Sequence, residues 1–177
     1  MQDTLNLRTL LRQEGEAAKG EASLHFENRD FCGFSTQGPV LLCWQAEPAG
    51  DAVRVSLWID AEIQAECVRC LESFTRPQHI EKTYDIRMAD LAGEFPEYPV
   101  TLDGNLDLEE MAYGELVLEV SSILVCREDC PGLCSLCGQR KDTCTCGEAA
   151  AIDPRWAALQ EAWNSADEPD DPPKKNG

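Results

Sequence analysis

From Val53 to Cys67 every odd position is apolar: Val53, Val55, Leu57, Ile59, Ala61, Ile63, Ala65 and Cys67. The even positions between them hold Arg54, Ser56, Trp58, Asp60, Glu62, Gln64 and Glu66. Side chains alternate between the two faces of a strand, so this stretch has one apolar face and one mostly polar face. A strand half in water belongs to an antiparallel sheet. Ile80, Tyr84, Ile86 and Met88 resume the alternation on even positions, which predicts a return strand over about 76–88. The residues between, CVRCLES, then form the tip of a long hairpin and carry Cys67 and Cys70. Pro77 places the return strand at a sheet edge or marks its entry.

The remaining elements follow from local signals. TLNLRTLL, residues 4–11, reads as a strand, and QEGEAAKG, residues 13–20, as a linker. Residues 22–26 and 38–46 are short apolar runs near Gly and Pro and read as strands. Residues 90–99 read as a loop and residues 100–102 as a further short strand. Asp107 is placed as an N-cap with Glu109 and Glu110 in the first turn, predicting a helix from Leu108 to about Val120. Its inward positions are Leu108, Met111, Ala112, Glu115 and Val117, and Gly114 marks close packing on the sheet at a cost in helix propensity. A second helix opens at Asp153 and Pro154 and presents Trp156, Leu159 and Trp163 on one face, for docking on the domain or as an anchor for a partner. The expected fold is α+β: an antiparallel sheet or partly closed β-barrel with one packed helix and a C-terminal zinc-knuckle appendage. The expected division is 1–125 for the β-rich core, 126–163 for the cysteine-rich segment and terminal helix, and 164–177 for a disordered tail.

Six of the ten cysteines fall in VCREDCPGLCSLCGQRKDTCTCG. A CxxC turn converges two sulfurs on one tetrahedral ion, and four thiolates close a structural zinc site. Cys134 and Cys137 have this spacing, with Gly138 free to make the sharp turn after them, and Cys144 and Cys146 are the nearest candidates to complete the set. Arg140 and Lys141 lie beside it to offset its negative charge. The second pair, Cys67 and Cys70, has Cys126 and Cys130 as the unclaimed partners. A single site built from Cys67, Cys70 and two downstream thiols is equally compatible with the spacing, so one or two structural zinc ions are expected. Cys32 and Cys43 have no neighbour at metal spacing and are assigned to packing. No charged-then-apolar signal segment opens the sequence, so reduced thiols in a cytoplasmic protein are the expectation.

The net charge of −18 argues against a broad nucleic-acid-gripping surface and favours a basic macromolecular partner. No apolar run reaches membrane-spanning length, so no membrane partner is expected. Phosphate-binding and nucleophile-elbow motifs are absent, and His25 and His79, the two histidines, stand away from the cysteine cluster. A zinc with four thiolates has no open position for water. The expectation is therefore not an enzyme, and no catalytic residue is assigned.

The segments CVRCLESF, LDLEEMAYGELVLEV, CREDCPGLCSLCG, TCTC and DPRWAALQ, in that order, resemble the YceD-like family, the large ribosomal RNA subunit accumulation proteins, from about Asp51 to Trp163. The resemblance implies a cytoplasmic, non-enzymatic factor in large-subunit ribosomal RNA processing or accumulation. It matches Cys67 and Cys70 to the family's central pair and Cys126, Cys130, Cys134, Cys137, Cys144 and Cys146 to its C-terminal set. Two modes of action follow from the residues. The acidic faces can shield a basic ribosomal protein, or a pre-ribosomal particle, until RNA takes over. Alternatively Arg69, Arg76, Arg127, Arg140 and Lys141 form a basic patch that binds ribosomal RNA itself. A third reading is a zinc switch that releases metal when its thiols oxidise. The charge balance favours the first.

Overall fold

The computed structural model of the chain describes residues 4–12, 17–87, 89, 97–146, 156, 159 and 163. The chain falls into two compact units, Met1–Pro131 and Gly132–Gly177. In the first, the described elements are β1 (Thr4–Asn6), α1 (Leu7–Arg12), β2 (Ala18–Leu24), β3 (Phe34–Thr36), β4 (Val40–Ala49), β5 (Ala52–Glu66), β6 (Ser73–Arg87), β7 (Asn105–Asp107) and α2 (Leu108–Glu119).

The alternating stretch is β5, a strand of 15 residues against a common length of about five or six. Its partner β6 is equally long, and the two run antiparallel from Ala52↔Arg87 to Glu66↔Ser73. Along its other edge β5 takes two partners in succession: β4 opposite Ala52 to Asp60, then β3 opposite Ile63 to Ala65. β2 continues the sheet beyond β4. The sheet is antiparallel throughout and does not close into a barrel, since β2 and β6 remain as its outer strands. Pro77 thus sits on an edge strand, where its missing N–H costs no ladder bond.

Val53, Val55, Leu57, Ile59 and Ile63 are fully buried, and Ala61 and Ala65 nearly so. With Val40, Leu42 and Ala46 of β4 and Ile80 and Ile86 of β6 they make the sheet's half of the core. Leu7 and Leu10 of α1 and Leu108, Met111, Ala112 and Leu116 of α2 supply the other half. The Asp107 side chain accepts from the Glu110 backbone N–H at 3.0 Å, the expected N-cap.

Several expectations are corrected. Residues 4–11 are a strand only as far as Asn6, after which α1 begins, so two helices pack in this unit instead of one. The side chain of Asn6 accepts from the backbone N–H of Thr9 at 2.8 Å, a capping contact that ends the strand and starts the helix. The linker assigned to 13–20 contains the start of β2, and 13–16 lie outside the described residues. Residues 100–102 form no strand; Val100 makes a lone bridge to Leu106, and the strand is β7, paired with β1. In α2 it is Leu116, not Val117, that is buried. Among the described residues, a methyl group on Gly114 would meet nothing within 4 Å, so close packing on them does not explain this glycine. Cys32 and Cys43 are exposed. Cys43 lies on the outward face of β4, one step out of phase with Leu42, so the sheet's own alternation excludes it from the core.

Most of the predicted C-terminal helix, the tail and the 90–96 part of the loop lie outside the described residues. Trp156, Leu159 and Trp163 are exposed.

Candidate metal centres

Two groups of four cysteines converge: Cys67, Cys70, Cys126 and Cys130 in the first unit, and Cys134, Cys137, Cys144 and Cys146 in the second. Within each group all sulfurs lie within 4.8 Å of one another. These are the same two groups into which spacing sorts the eight cysteines.

The hairpin delivers the first pair. β5 and β6 end at Glu66 and Ser73, leaving Cys67 to Glu72 as the turn. The Cys67 N–H donates to the Glu72 carbonyl at 2.9 Å, and the Leu71 N–H donates back to the Cys67 carbonyl at 2.8 Å. The second unit repeats this pattern. The Cys134 N–H donates to the Gln139 carbonyl at 2.6 Å and the Gly138 N–H to the Cys134 carbonyl at 2.9 Å. In both turns the residue after the second cysteine takes a left-handed backbone, φ 60° at Leu71 and 71° at Gly138. These are two copies of one knuckle, with glycine at the strained position in only one of them.

The other cysteines of the first group follow α2. Val68 donates its N–H to the Leu124 carbonyl at 2.9 Å, which brings the segment beyond the helix alongside the hairpin tip. Cys126 and Cys130 then close a turn in which the Cys130 N–H donates to the Arg127 carbonyl at 3.1 Å. Cys67, Cys70 and Cys130 are buried, and Cys126 is half-buried. In the second group, Lys141 N–H donates to the Gly132 carbonyl at 3.0 Å and Leu133 bridges to Arg140, folding the Cys144 and Cys146 end back onto the knuckle. Cys134 and Cys144 are half-buried there, and Cys137 and Cys146 are exposed.

Sulfur spacings test the fit to a metal. Four sulfurs each about 2.3 Å from one tetrahedral ion stand about 3.8 Å apart. Cys67 to Cys130 and Cys70 to Cys126 are both 3.8 Å, and Cys137 to Cys144 is 3.5 Å. A disulfide would need sulfurs about 2.0 Å apart. The donor chemistry agrees. Burial pushes the Cys67 thiol up, but backbone N–H groups of Cys126, Arg69 and Cys70 outweigh it and bring it down to about 6. The N–H groups of Cys137 and Leu136, with the Cys144 thiol, bring Cys134 to about 6 as well. Conversely, burial and the surrounding thiols push Cys126 up to about 12, and hydrogen bonds to Cys137 and Cys144 do the same for Cys146. Each group by itself therefore accepts a first thiolate readily and resists the last, a conflict that a divalent cation at the centre removes.

The five basic residues assigned to RNA sit as follows. Arg69, inside the first knuckle, donates to the carbonyls of Glu128 at 2.9 Å and Cys130 at 3.2 Å. Sequence spacing gave no hint of this contact; the hint available was a long cation placed between two ligand cysteines, next to carbonyl-rich turns. Arg127 pairs with Asp129 at 3.2 Å and Arg140 with Asp142 at 2.7 Å. Arg76 lies on β6 opposite Ile63, and Lys141 is exposed in the second unit.

A family model described as large ribosomal RNA subunit accumulation protein YceD matches residues 55–161, which include both cysteine groups. The chain belongs to the YceD family. Similar curated proteins are the uncharacterized protein Rv2926c of Mycobacterium tuberculosis and the uncharacterized protein Mb2951c of Mycobacterium bovis, each 33% identical over 130 residues, covering 71% of this chain and 63% of theirs. The uncharacterized protein ML1660 of Mycobacterium leprae is 30% identical over 127 residues, covering 68% of this chain and 58% of its own. The chain thus matches less than two thirds of the length of these relatives. No solved structure gives a significant match. The YceD match begins inside β5 and takes in the hairpin tip, α2 and both knuckles. Among the described residues no helix is long and apolar enough to cross a membrane.

Proposed function

We propose that this YceD-family protein is a non-enzymatic, cytoplasmic ribosome-assembly factor that supports processing or accumulation of large-subunit ribosomal RNA by binding a basic ribosomal protein or a pre-ribosomal particle. The observation that carries the reading is the family match over residues 55–161, whose description names large ribosomal RNA subunit accumulation. The net charge of −18 supports a basic protein as the immediate partner. The ions are zinc, two per chain, and structural: a donor set of four thiolates at tetrahedral spacing is the chemistry zinc favours, and it leaves no coordination position for a substrate. Deleting the gene in its own host and measuring large- against small-subunit ribosomal RNA tests the role. A lower large-to-small ratio, restored by the plasmid-borne gene, is expected, and an unchanged ratio rejects the reading.

Direct contact with ribosomal RNA is the second reading. It is favoured by the placement of Arg69 and Arg127 at the first cysteine group and Arg140 and Lys141 at the second. Against it, Arg69, Arg127 and Arg140 are already engaged by carbonyls or carboxylates. Binding to naked ribosomal RNA that weakens steeply with added salt is the result that would favour it.

A further inference from the structure

α2 contains a glycine that packing does not require. Gly114 sits mid-helix, where glycine costs roughly 0.5–1 kcal/mol relative to alanine, yet among the described residues a Cβ there would meet nothing within 4 Å. The space is a groove of about 380 Å³ between α2, the edge strand β6 and residues 97–99. Tyr84 and Tyr98 stand in it with ring centroids 5.8 Å apart at 71°. Met111 and Leu118 add apolar surface. Glu97, Glu110, Glu115 and Glu119 line the groove, and Lys82 is the one basic residue that lines it among the described residues.

The charges are placed, not merely abundant. Glu119 is neutralised by Lys82 at 2.5 Å and Glu110 by Arg29 at 2.5 Å. Glu115 is the buried charged side chain of the described core, 8% exposed, and is held by the Tyr84 hydroxyl, which donates to it. Its hydrogen-bond partner is thus neutral, and the cation that senses its charge is Lys82, which is itself paired with Glu119. Glu97 is exposed. Aromatic faces beside oriented carboxylates attract a cation by both ring quadrupole and charge.

We propose that this groove is the docking site for a basic segment of a partner protein, with a lysine or arginine side chain lying against Tyr84 and Tyr98 and facing the α2 carboxylates. The proposal rests on the assembly-factor reading for the identity of that partner and supplies where on this chain it binds. Gly114 leaves the space the segment occupies, which accounts for a helix-weakening residue at a position without packing neighbours.

Because a chain of net charge −18 attracts any basic peptide, the test must change shape without changing charge. The probe is a fluorescent peptide alternating lysine and glycine, titrated against the full-length, metal-loaded protein at physiological ionic strength. Gly114→Leu fills the groove and is expected to weaken binding fivefold or more, whereas Glu81→Gln on β6, outside the groove, changes it less than twofold. In the wild type, amide NMR shifts on adding peptide should concentrate at residues 82–84, 97–99 and 110–119. This second measurement stands even if Gly114→Leu fails to fold. Undiminished binding by a folded Gly114→Leu, shifts concentrated elsewhere, or no binding by the wild type would overturn the proposal. The assembly reading fails separately, on an unchanged ribosomal RNA ratio when the gene is deleted.

Discussion

The backbone N–H of Val68 donates to the carbonyl of Leu124 at 2.9 Å, so the tip of the β5–β6 hairpin is tied to the chain leaving α2. That bond sets the Cys67 and Cys70 sulfurs opposite those of Cys130 and Cys126. The second group is assembled wholly within the other compact unit. Elemental mass spectrometry on protein purified under reducing conditions should give two metal ions per chain, falling to one in Cys67→Ser and to one in Cys134→Ser. Cys67→Ser should also lower the melting temperature of the sheet-bearing unit, since it removes a ligand from a buried site, while Cys134→Ser leaves that transition in place. Loss of both ions from either variant would contradict the independence of the two groups.

The two knuckles differ at one strained position. Leu71 holds φ 60° where its counterpart is Gly138. A left-handed backbone costs a non-glycine residue roughly 1–2 kcal/mol, offset in part by the greater freedom glycine has when unfolded. Leu71→Gly should therefore stabilise the first unit by about 0.5–1 kcal/mol in thermal or urea unfolding. Gly138→Ala should weaken metal retention by the second, read as faster release to a chelator.

Gly20 of β2 lies directly opposite Trp44 of β4, and the indole covers it: an added Cβ would come within 2.8 Å of the ring. Gly20→Ala should cost about 1–3 kcal/mol, the usual range for overpacking. The double variant with Trp44→Leu should recover part of the loss, and a strictly additive result would show that the clash is not its cause.

Tyr84 keeps its proton far above the ordinary tyrosine value of about 10, first because it is buried and next because its hydroxyl donates to Glu115, whose charge opposes a tyrosinate. The unfolded chain ionises near the ordinary value. The stabilisation is thus complete below about pH 10 and is lost as pH rises above it. Ultraviolet titration should show a late-ionising tyrosine in the wild type that is lost in Tyr84→Phe.

The long hairpin was legible because a period of two over so many residues has one structural meaning, and the Asp107 cap because its chemistry is local. The grouping of the eight cysteines was legible in part: the knuckle in residues 134–138 announces itself by spacing, while the meeting of Cys67 with Cys130 depends on where α2 ends. Other features left weaker traces. β3 is three residues long, too short to show a period, and exists because β5 extends past the end of β4. The strand-to-helix change at Asn6 rests on its side chain, which accepts from both the backbone N–H and the hydroxyl of Thr9. Cys43 needed only its parity with Leu42 to be placed outside. The Gly114 groove has no signal of its own in the sequence, since its walls come from three separate segments and its defining property is vacant volume.

The two cysteine groups close rings of very different size. Cys70 and Cys126 are 56 residues apart and Cys67 and Cys130 63, whereas Cys137 and Cys144 are separated by 7. The short ring can close as soon as its own segment has been synthesised, with no help from the sheet. The large one must wait until hairpin and helix have met, and an ion bound there would act as a cross-link that restricts the unfolded chain more than a local one does. On refolding, metal uptake should therefore occur in two stages, a fast one at the local group and a slower one that waits for hairpin and helix to meet.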